Sequence, residues 1–523
     1  MTGAGLLLRA FLRRDRWMIF WWVLAGVLLY WTQAISVAGL YATQEEFDTA
    51  AELMGSNPAL IAMAGPDRAL NTVGGQVAWQ STAFGAILAG LMSMFLAGRH
   101  TRAEEESGRD ELLRAGVVGR RATTSATVGV LLVANALLAV GIAVSLVTVP
   151  LAVADSVALG VGVALCGMLF GGVALVAAQL TASTRTAYAL TGVVIAAAYA
   201  LRAVGDLGRP TLTWLSPIGW YQQMYAFSGL RWWPAVLLLL AGVLALVGAY
   251  AVLDRRDWGA GVLATRPGTP HASAALGTPV GLAWRLQRGA VVGWGLGLFA
   301  IGLSYGSIGN DAGDLIGDSE AARQMMVAGG GDLVAGFYAM SMTILALMAA
   351  GFAISSATRA RGEEEAGHGE AVLATARSRT EWLAAHVSVT VGGTVLVLGL
   401  GGLGLGLADA LVTGEGSSVW QFTWQTLAWL PAVLALTGLT RLLYGVRGRL
   451  ATLGWLGLAF AVVVLVLGEI LRFPDWLRGF SPFEHLARMP VEDFDPGSFG
   501  VVLGVAALLS FAGWFTFRRR DFG

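Results

Sequence analysis

The side chains that could perform covalent or acid–base chemistry are few and scattered in this chain. All 34 basic residues are arginine, so no lysine is present to bind a phosphate in a glycine-rich loop or to form a Schiff base. The one cysteine, Cys166, lies in an apolar run and can form neither a disulfide nor a paired-cysteine metal site. The five histidines lack the spacing of metal ligands. These residues argue against an enzyme and predict no catalytic or metal site.

A run of three glutamates that occurs twice is the clearest charged pattern. Residues 102–108 read R-A-E-E-E-S-G, and residues 361–367 read R-G-E-E-E-A-G. The first copy predicts a short helix, because Glu105 and Arg109 have the i,i+4 spacing of an ion pair. We interpret the two copies as solvated docking helices for a two-fold partner, which substitutions should not unfold; the alternative is an ordinary solvated loop. The docking candidates are Glu104, Glu105, Glu106, Gly108, Glu111, Glu363, Glu364, Glu365, Gly367 and Glu370.

Two further segments recur in the same order, again about 260 residues apart. Ser216-Pro217 returns as Ser481-Pro482, and R-R-D-W-G at 255–259 returns as R-R-D-F-G at 519–523. Three repeats at one distance predict a tandem duplication, joined by a linker rich in proline, glycine and alanine. The predicted divisions are a first half at 1–265, the linker at 266–279 and a second half at 280–523.

The composition places these halves in a membrane. Hydrophobic residues make up 56% of the 523 residues before 71 glycines are counted, and charged residues make up 13%, about half the share in soluble domains. The net charge is zero, which argues against a nucleic-acid partner. Twelve apolar runs approach the length of about 20 residues that crosses a bilayer. They are 17–40, 76–97, 124–149, 157–180, 186–201, 233–253, 290–305, 333–354, 382–405, 423–444, 450–471 and 499–517.

The arginine distribution predicts the orientation of these spans. With the N-terminus inside, most of the 34 arginines fall in inner segments, and the outer loops are acidic. Both termini are then cytoplasmic, and the two halves share one orientation. Each half also opens with a basic amphipathic stretch, Leu6–Arg16 or Val280–Arg288, which we expect to lie flat at the membrane surface; the alternative is a simple positive-inside anchor.

The loops before the last span of each half are rich in proline and aromatic residues. Residues 209–232 and 473–496 are predicted on the outer side, as short re-entrant helices that cap the outer mouth. The alternative is an ordinary aromatic belt at the membrane surface. The candidate outer-gate residues are Ser216, Pro217, Trp220, Ser481, Pro482 and His485.

Spans 2 and 8 carry methionine and aromatic residues at helical spacing. Such side chains form an adaptable surface that suits apolar ligands, although helix or lipid contact is the alternative for each of them. The candidate cavity residues are Gln80, Phe84, Met92, Phe95, Phe337, Met340 and Met348.

Ionisable residues are scarce inside the predicted spans. Arg202 and Glu469 lie near the ends of spans 5 and 11. They either pair across the two halves or extend separately to the membrane surface. No row of carboxylates indicates a proton relay.

These motifs resemble those of type 2 ABC exporter permeases, specifically the actinobacterial polyketide-antibiotic (tetronasin-resistance-like) exporter permeases. The resemblance covers essentially the whole chain and is carried by short motifs. In the second glutamate copy His368 and Gly369 replace Arg109 and Asp110, which puts the equivalence of the two docking sites in question. The motifs are R-A-E-E-E-S-G-R-D-E-L-L-R at 102–114 with its copy at 361–373, W-L-S-P-I-G-W at 214–220, R-R-D-W-G-A-G at 255–261 and R-P-G at 266–268.

The resemblance implies an ATP-driven exporter of hydrophobic compounds in a bacterial plasma membrane. Its ATPase is a separate subunit, of which two copies dock beneath the acidic helices, and ATP and Mg bind that subunit while this chain binds no cofactor. The predicted fold is an all-α integral membrane protein of twelve transmembrane helices, in two tandem six-helix halves with cytoplasmic coupling helices and outer re-entrant caps. The alternative is a twelve-span secondary drug transporter driven by an ion gradient, which normally needs ionisable groups at mid-membrane depth.

Overall fold

The described part of the chain is helical throughout and contains no β-strand. A computed structural model describes residues 2–41, 43–109, 116–257, 259–263, 270–309, 333–467 and 473–521. Twelve helices in these ranges are long and apolar enough to cross a membrane, which confirms the predicted all-α membrane fold. They are α1 (Ala4–Ala38), α2 (Val73–His100), α3 (Ala122–Val147), α4 (Val153–Leu180), α5 (Thr184–Asp206), α6 (Trp233–Arg255), α7 (Pro279–Ile308), α8 (Leu333–Ala357), α9 (Arg379–Thr413), α10 (Ser417–Leu427 and Leu430–Val446), α11 (Gly454–Leu467, continuing the 3-10 helix Gly448–Leu453) and α12 (Pro496–Arg519).

The described residues fall into two compact units. Unit 1 contains the residues up to 263, with α1 to α6, and unit 2 contains those from 270 onward, with α7 to α12. In each unit the second helix is the most enclosed: 72% of the most apolar stretch of α2 is buried, and 78% of that of α8. The sixth helices α6 and α12 bury only 22% and 17%. Each unit therefore has its second helix at its centre.

Short helices connect the spans at the two ends of each unit. We call the end that carries the glutamate motif the motif end and the opposite end the cap end. The motif-end helices are Arg102–Glu106 in unit 1, and Arg359–Glu365 and His368–Leu373 in unit 2. The cap-end helices are Gln44–Ser56, Pro58–Ala64, Pro210–Thr213 and Pro217–Gln222 in unit 1, and Asp475–Arg478 with the 3-10 helix Pro482–His485 in unit 2.

Several spans begin at a side chain that accepts a hydrogen bond from the first turn. Thr72 accepts one from the Gly75 backbone at the start of α2, and Ser378 forms a reciprocal capping box with Glu381 at the start of α9. Asp495 accepts from two backbone N–H groups at the start of α12, and hydrogen bonds from the Ser498 side chain and from these two groups lower the pKa of its carboxyl. These polar capping residues thus fix where α2, α9 and α12 start.

Close packing of α7 against α9 depends on glycine. A side chain at Gly302 would meet the Gly401 carbonyl, and one at Gly404 would meet the Phe299 carbonyl. The two helices can therefore approach backbone to backbone, as is common for membrane helices with small residues at their interface.

The basic stretches that open each half are not separate helices on the membrane surface, which corrects the sequence-based expectation. Leu6–Arg16 belongs to the uninterrupted helix α1, and Val280–Arg288 belongs to α7. Leu7 and Phe11 are buried against the rest of unit 1. Packing against their own unit extends both helices beyond the apolar run.

Candidate functional site

The middle glutamate of the first motif is buried in an ion-pair cluster at the motif end of unit 1. Arg102 Nη1 lies 2.7 Å from Glu105 Oε2, and Arg256 Nη1 lies 3.1 Å from the same oxygen, while Arg256 Nη2 bonds the other one. Gln179 on α4 accepts from Arg256 Nε at 2.6 Å. The three charged side chains are at most 6% exposed. The glutamate motif and the R-R-D motif, separate in the sequence, therefore contact each other.

Arg102 extends this cluster to neighbouring backbone. It donates to the Ala178 carbonyl at 3.2 Å and to the Thr181 carbonyl, both at the end of α4. It also donates to the Ala260 carbonyl at 3.1 Å, just beyond α6. The cluster thereby joins the motif-end termini of α2, α4 and α6.

Unit 2 contains the same relationship between the two motifs. Arg520 Nη2 lies 2.7 Å from both carboxylate oxygens of Glu364. Tyr444 on α10 donates its hydroxyl to Glu364 Oε2 at 2.6 Å. As in unit 1, the arginine follows the sixth helix of the unit, and the third partner lies near the end of the fourth. The sequence repeat is thus also a repeat of contacts.

The flanking glutamates of the first motif bind other helices of unit 1. Glu104 accepts from Arg14 Nη1 on α1 at 2.6 Å. Glu106 accepts from the backbone N–H and the hydroxyl of Thr184, at 2.9 and 2.6 Å, at the start of α5. This motif is therefore fixed to two further helices, α1 and α5.

The flanking glutamates of the second motif pair with residues close in sequence. Glu363 lies 2.5 Å from Arg359 and 3.3 Å from His368, and Glu365 lies 2.8 Å from Arg361. These contacts hold the segment together and do not reach another spanning helix. The two motif ends consequently differ in how they are attached.

Sequence reasoning missed a buried cluster around His100 at the end of α2. His100 Nε2 lies 2.7 Å from Asp15 Oδ2, and Arg14 Nη2 lies 3.0 Å from His100 Nδ1. Arg14 can only donate, so Nδ1 accepts and Nε2 carries the hydrogen toward Asp15. Arg99 Nε also lies 3.0 Å from Asp15, and Phe11 stacks on the His100 ring. The i,i+4 spacing of Phe11 and Asp15 on one face of α1 was the available signal.

The prediction of a solvated glutamate helix is wrong for most of these side chains. Glu104 and Glu363 are 6% and 8% exposed, and the carboxylates of Glu105 and Glu364 are nearly as enclosed. The predicted pairing of Glu105 with Arg109 does not form, because Arg102 and Arg256 enclose the carboxylate.

The glycines that follow the two glutamate runs have the same backbone conformation. Gly108 has φ +70° and Gly367 has φ +72°, which favours glycine at both places. Beyond Gly367, Glu370 is exposed in the first turn of His368–Leu373. Glu111 lies outside the described residues. The turns after the glutamates are thus exposed in both motifs, as are the last glutamates, Glu106 and Glu365.

The Ser-Pro segment at the cap end of unit 1 is built into the helix bundle. Ser216 donates to the Ala198 carbonyl at 2.6 Å and accepts from the Gly219 backbone, so it caps Pro217–Gln222. Tyr221 donates to the Leu159 carbonyl at 2.8 Å, and Trp220 Nε1 donates to the Trp214 carbonyl at 2.6 Å. The segment thus closes the cap end of its own unit.

The equivalent segment of unit 2 is partly open. Ser481 is buried, Pro482 begins the 3-10 helix, and His485 is exposed. His485 Nε2 lies 2.7 Å from the Gly479 carbonyl. The two Ser-Pro segments therefore lie at the cap end of their own units, but the segment of unit 2 is less enclosed than that of unit 1.

The candidate cavity residues do not form one described cavity. Gln80, Phe84 and Phe95 lie on one incompletely covered stripe of α2. Met92 is fully buried in the core of unit 1 and is not part of that stripe. On α8, the partly covered residues include Phe337, Met340 and Met348.

Arg202 is buried at the cap end of α5. It donates to the Ala62 and Met63 carbonyls at 2.9 and 2.8 Å and lies 3.4 Å from Asp206. It neither extends to the membrane surface nor needs a partner from the other half, because backbone oxygens of its own unit satisfy it. Glu469 lies outside the described residues.

Comparison with known proteins places this arrangement in a family. Residues 276–518 match the family model described as multidrug efflux system permease Rv1217c, C-terminal domain. The multidrug efflux system permease protein Rv1217c of Mycobacterium tuberculosis is 38% identical over 528 residues, which cover 99% of this chain and 95% of the relative. The chain therefore belongs to the family of the multidrug efflux system permease Rv1217c.

Proposed function

We propose that the chain is the membrane-spanning permease of an ATP-driven exporter that moves hydrophobic compounds, such as polyketide antibiotics or other drugs, out of the cell. A separate ATPase subunit supplies the energy, with one copy bound at each motif end, and holds the ATP and Mg. The name of the relative, a multidrug efflux permease, supports the export of drugs. The chain lies in a bacterial plasma membrane with both termini and both motif ends in the cytoplasm, where most arginines fall.

The repeated ion pair between the glutamate motif and the end of the sixth helix is the main support for this proposal. Glu105 with Arg256, and Glu364 with Arg520, lie at the motif end of their own unit; the first pair is buried, and in the second Glu364 is 7% and Arg520 18% exposed. Removing one member of a buried ion pair typically costs about 3–5 kcal/mol. When the ATPase subunit displaces the glutamate motif, the ion pair therefore moves α6 or α12 with it as a rigid body.

The docking surface in this proposal is the exposed turn beside each buried pair. Ser107 and Arg109 are exposed after the first glutamate run, and His368 and Glu370 after the second. The middle glutamates, Glu105 and Glu364, act from inside, as positioning residues that connect the ATPase contact to the helices. This differs from a docking role through solvated carboxylates and follows from their burial.

The path of the compound follows the second helix of each unit. The partly covered stripes of α2 and α8 provide an apolar lining, with Phe84 and Phe337 among their residues. The two Ser-Pro segments form the outer gate, with Pro217 and Pro482 restricting the residue before each of them to extended backbone. Motion of one six-helix bundle against the other opens it, as in other transporters built from repeats.

Coupling to an ion gradient is disfavoured by where the charged side chains lie. Arg202 is four residues from the end of α5, and Asp409 is four residues from the end of α9. Asp15 contacts His100, the last residue of α2, and so also lies near a helix end. The described spans thus carry their buried charges near helix ends rather than at mid-depth, where ion-coupled transporters hold their coupling groups.

Affinity purification of the full chain from native membranes tests this proposal. We expect a nucleotide-binding subunit to co-purify and its ATP hydrolysis to rise when a transported drug is added. Reconstituted vesicles should accumulate drug only with ATP present. Drug transport by the chain alone, driven by a proton or sodium gradient without ATP, would overturn the proposal.

A further inference from the structure

Unit 2 contains an apolar groove at its cap end with a volume of about 680 Å³. This volume lies within the range of about 300–1,000 Å³ found for small-molecule sites. On α12 the lining extends from Gly497 to Leu509, about 18 Å at the helical rise of 1.5 Å per residue, roughly half the hydrocarbon thickness of a bilayer. Leu436 and Leu439 of α10 form another wall, and His485 lies at the cap end.

The corresponding place in unit 1 is filled by tryptophan. Trp214 stacks on Trp233 with 5.2 Å between ring centroids and 15° between planes. Trp220 Nε1 bonds the Trp214 carbonyl at 2.6 Å. Two parallel indole rings and a third one beside them thus occupy the cap end of α6.

Contacts fix which residues of unit 2 correspond to these tryptophans. The bond from Trp220 to the Trp214 carbonyl has its counterpart in the bond of His485 Nε2 to the Gly479 carbonyl, and both pairs are six residues apart. Each donor also follows its Ser-Pro proline by three residues. His485 therefore replaces Trp220, and Gly479 replaces Trp214.

The second ring of the stack is also replaced by glycine. In unit 1 the R-R-D motif begins at Arg255, and in unit 2 it begins at Arg519. Trp233 lies as far before Arg255 as Gly497 lies before Arg519, so the two positions correspond. Gly479 and Gly497 both line the groove. The groove is thus lined by two glycines where unit 1 has two stacked indoles.

We propose that this groove binds the planar aromatic ring system of a hydrophobic compound, which takes the place of the missing indoles. The proposal rests on the proposed function by making that compound a transported one. Glycine on two sides lets a flat ring approach the backbone, and Val501 and Val505 supply aliphatic contact. The Gly479 carbonyl can only accept, so His485 Nε2 carries its hydrogen and Nδ1 accepts from a hydroxyl or N–H at the rim of the ligand.

The groove is reachable from outside its unit. Phe480 and Val501 on its rim are 71% and 68% exposed. Adding a Cβ at Gly479 or Gly497 brings the nearest atom to 3.3 or 3.2 Å. A Cβ at either position therefore needs only small adjustments, and the groove of about 680 Å³ offers the space for an indole ring beyond it.

Photo-cross-linking with 9-azidoacridine, a planar tricyclic azide, tests the proposal on the full chain in lipid nanodiscs. We expect saturable labelling of residues 479–509, identified by mass spectrometry, which excess acridine abolishes and excess palmitate does not. Gly479→Trp with Gly497→Trp should reduce this labelling at least tenfold. Gly504→Trp is the matched control, because Gly504 lies on α12 outside the groove lining with nothing within 4 Å of its added Cβ, and it should label as the parent chain does.

Thermal unfolding of each variant distinguishes a filled groove from a misfolded protein. The single variant Gly497→Trp repeats the labelling test with one substitution in case the double variant does not fold. Unchanged labelling in a folded double variant would overturn the proposal. Displacement by palmitate as readily as by acridine would also overturn it, because the occupant would then be a lipid chain. Since the assay uses neither ATP nor the partner subunit, a negative result leaves the export proposal standing.

Discussion

Arg256 and Glu105 are 151 residues apart in the chain and form a buried ion pair at the motif end of unit 1. Arg520 and Glu364, 156 residues apart, form the same pair in unit 2. Each pair connects a short segment after the second helix to the end of the sixth helix. The permease therefore carries two equivalent mechanical links, which its sequence shows only as two separate repeats.

Replacing Gly108 or Gly367 by alanine should destabilise the motif ends. Both glycines have positive φ and nothing within 4 Å of an added Cβ, so the cost is backbone strain of about 1–2 kcal/mol and not a clash. Gly362→Ala is the matched control, because Gly362 lies in a helix with equally open space, where alanine is favoured by about 0.5–1 kcal/mol. Thermal unfolding measures both; equal effects of the two kinds of variant would contradict the explanation.

Replacing His100 by phenylalanine should destabilise unit 1 by about 1–3 kcal/mol. The ring stack on Phe11 can be kept, and Asp15 keeps Arg99 while Arg14 keeps Glu104, but Asp15 and Arg14 each lose the imidazole as a hydrogen-bonding partner. His368→Phe is the control, because the His368 side chain is 71% exposed and its contact with Glu363 is long. We expect that variant to stay within about 0.5 kcal/mol of the parent chain. A His100→Phe protein that unfolds like the control would show that the cluster contributes nothing.

The cap of α12 should weaken in acid. Hydrogen bonds from the Ser498 side chain and from the Gly497 and Ser498 backbone lower the pKa of Asp495. A carboxyl with a lowered folded pKa contributes stability above its unfolded pKa of about 3.9, and this contribution is lost as the pH falls through the folded value. Asp495→Asn keeps an acceptor oxygen without titrating, so its unfolding temperature should depend less on pH between about 5 and 3. Identical pH profiles for the two proteins would refute this role.

Hydropathy and residue spacing predict much of this fold. The twelve spans follow from apolar runs long enough to cross a bilayer, and the structure places a helix at each of them. Helix starts follow less well, because Leu7 and Phe11 pack against their own unit and extend α1 far beyond its apolar run. Tertiary packing, which no local window contains, decides that boundary.

The candidate site could be predicted only in part. The repeats identify Glu105 and Arg256 as notable residues, but their contact spans 151 residues and has no local signal. Three adjacent glutamates suggest a solvated surface, and three of the arginines that enclose them, Arg14, Arg256 and Arg520, come from distant parts of the sequence. The stack of Trp214 on Trp233 and its replacement by glycines likewise emerge only when the two units are compared.

A charge swap between Glu364 and Arg520 shows whether this ion pair couples the ATPase to α12. Glu364→Arg and Arg520→Glu should each reduce drug-stimulated ATP hydrolysis and drug transport of the reconstituted complex at least tenfold, and the double variant should recover much of both. Glu365→Arg is the control, because Glu365 is 54% exposed and pairs with Arg361 of its own segment; it should remain active. Full activity in both single variants, or a double variant no better than either single one, would contradict the claim that this pair couples the ATPase to α12.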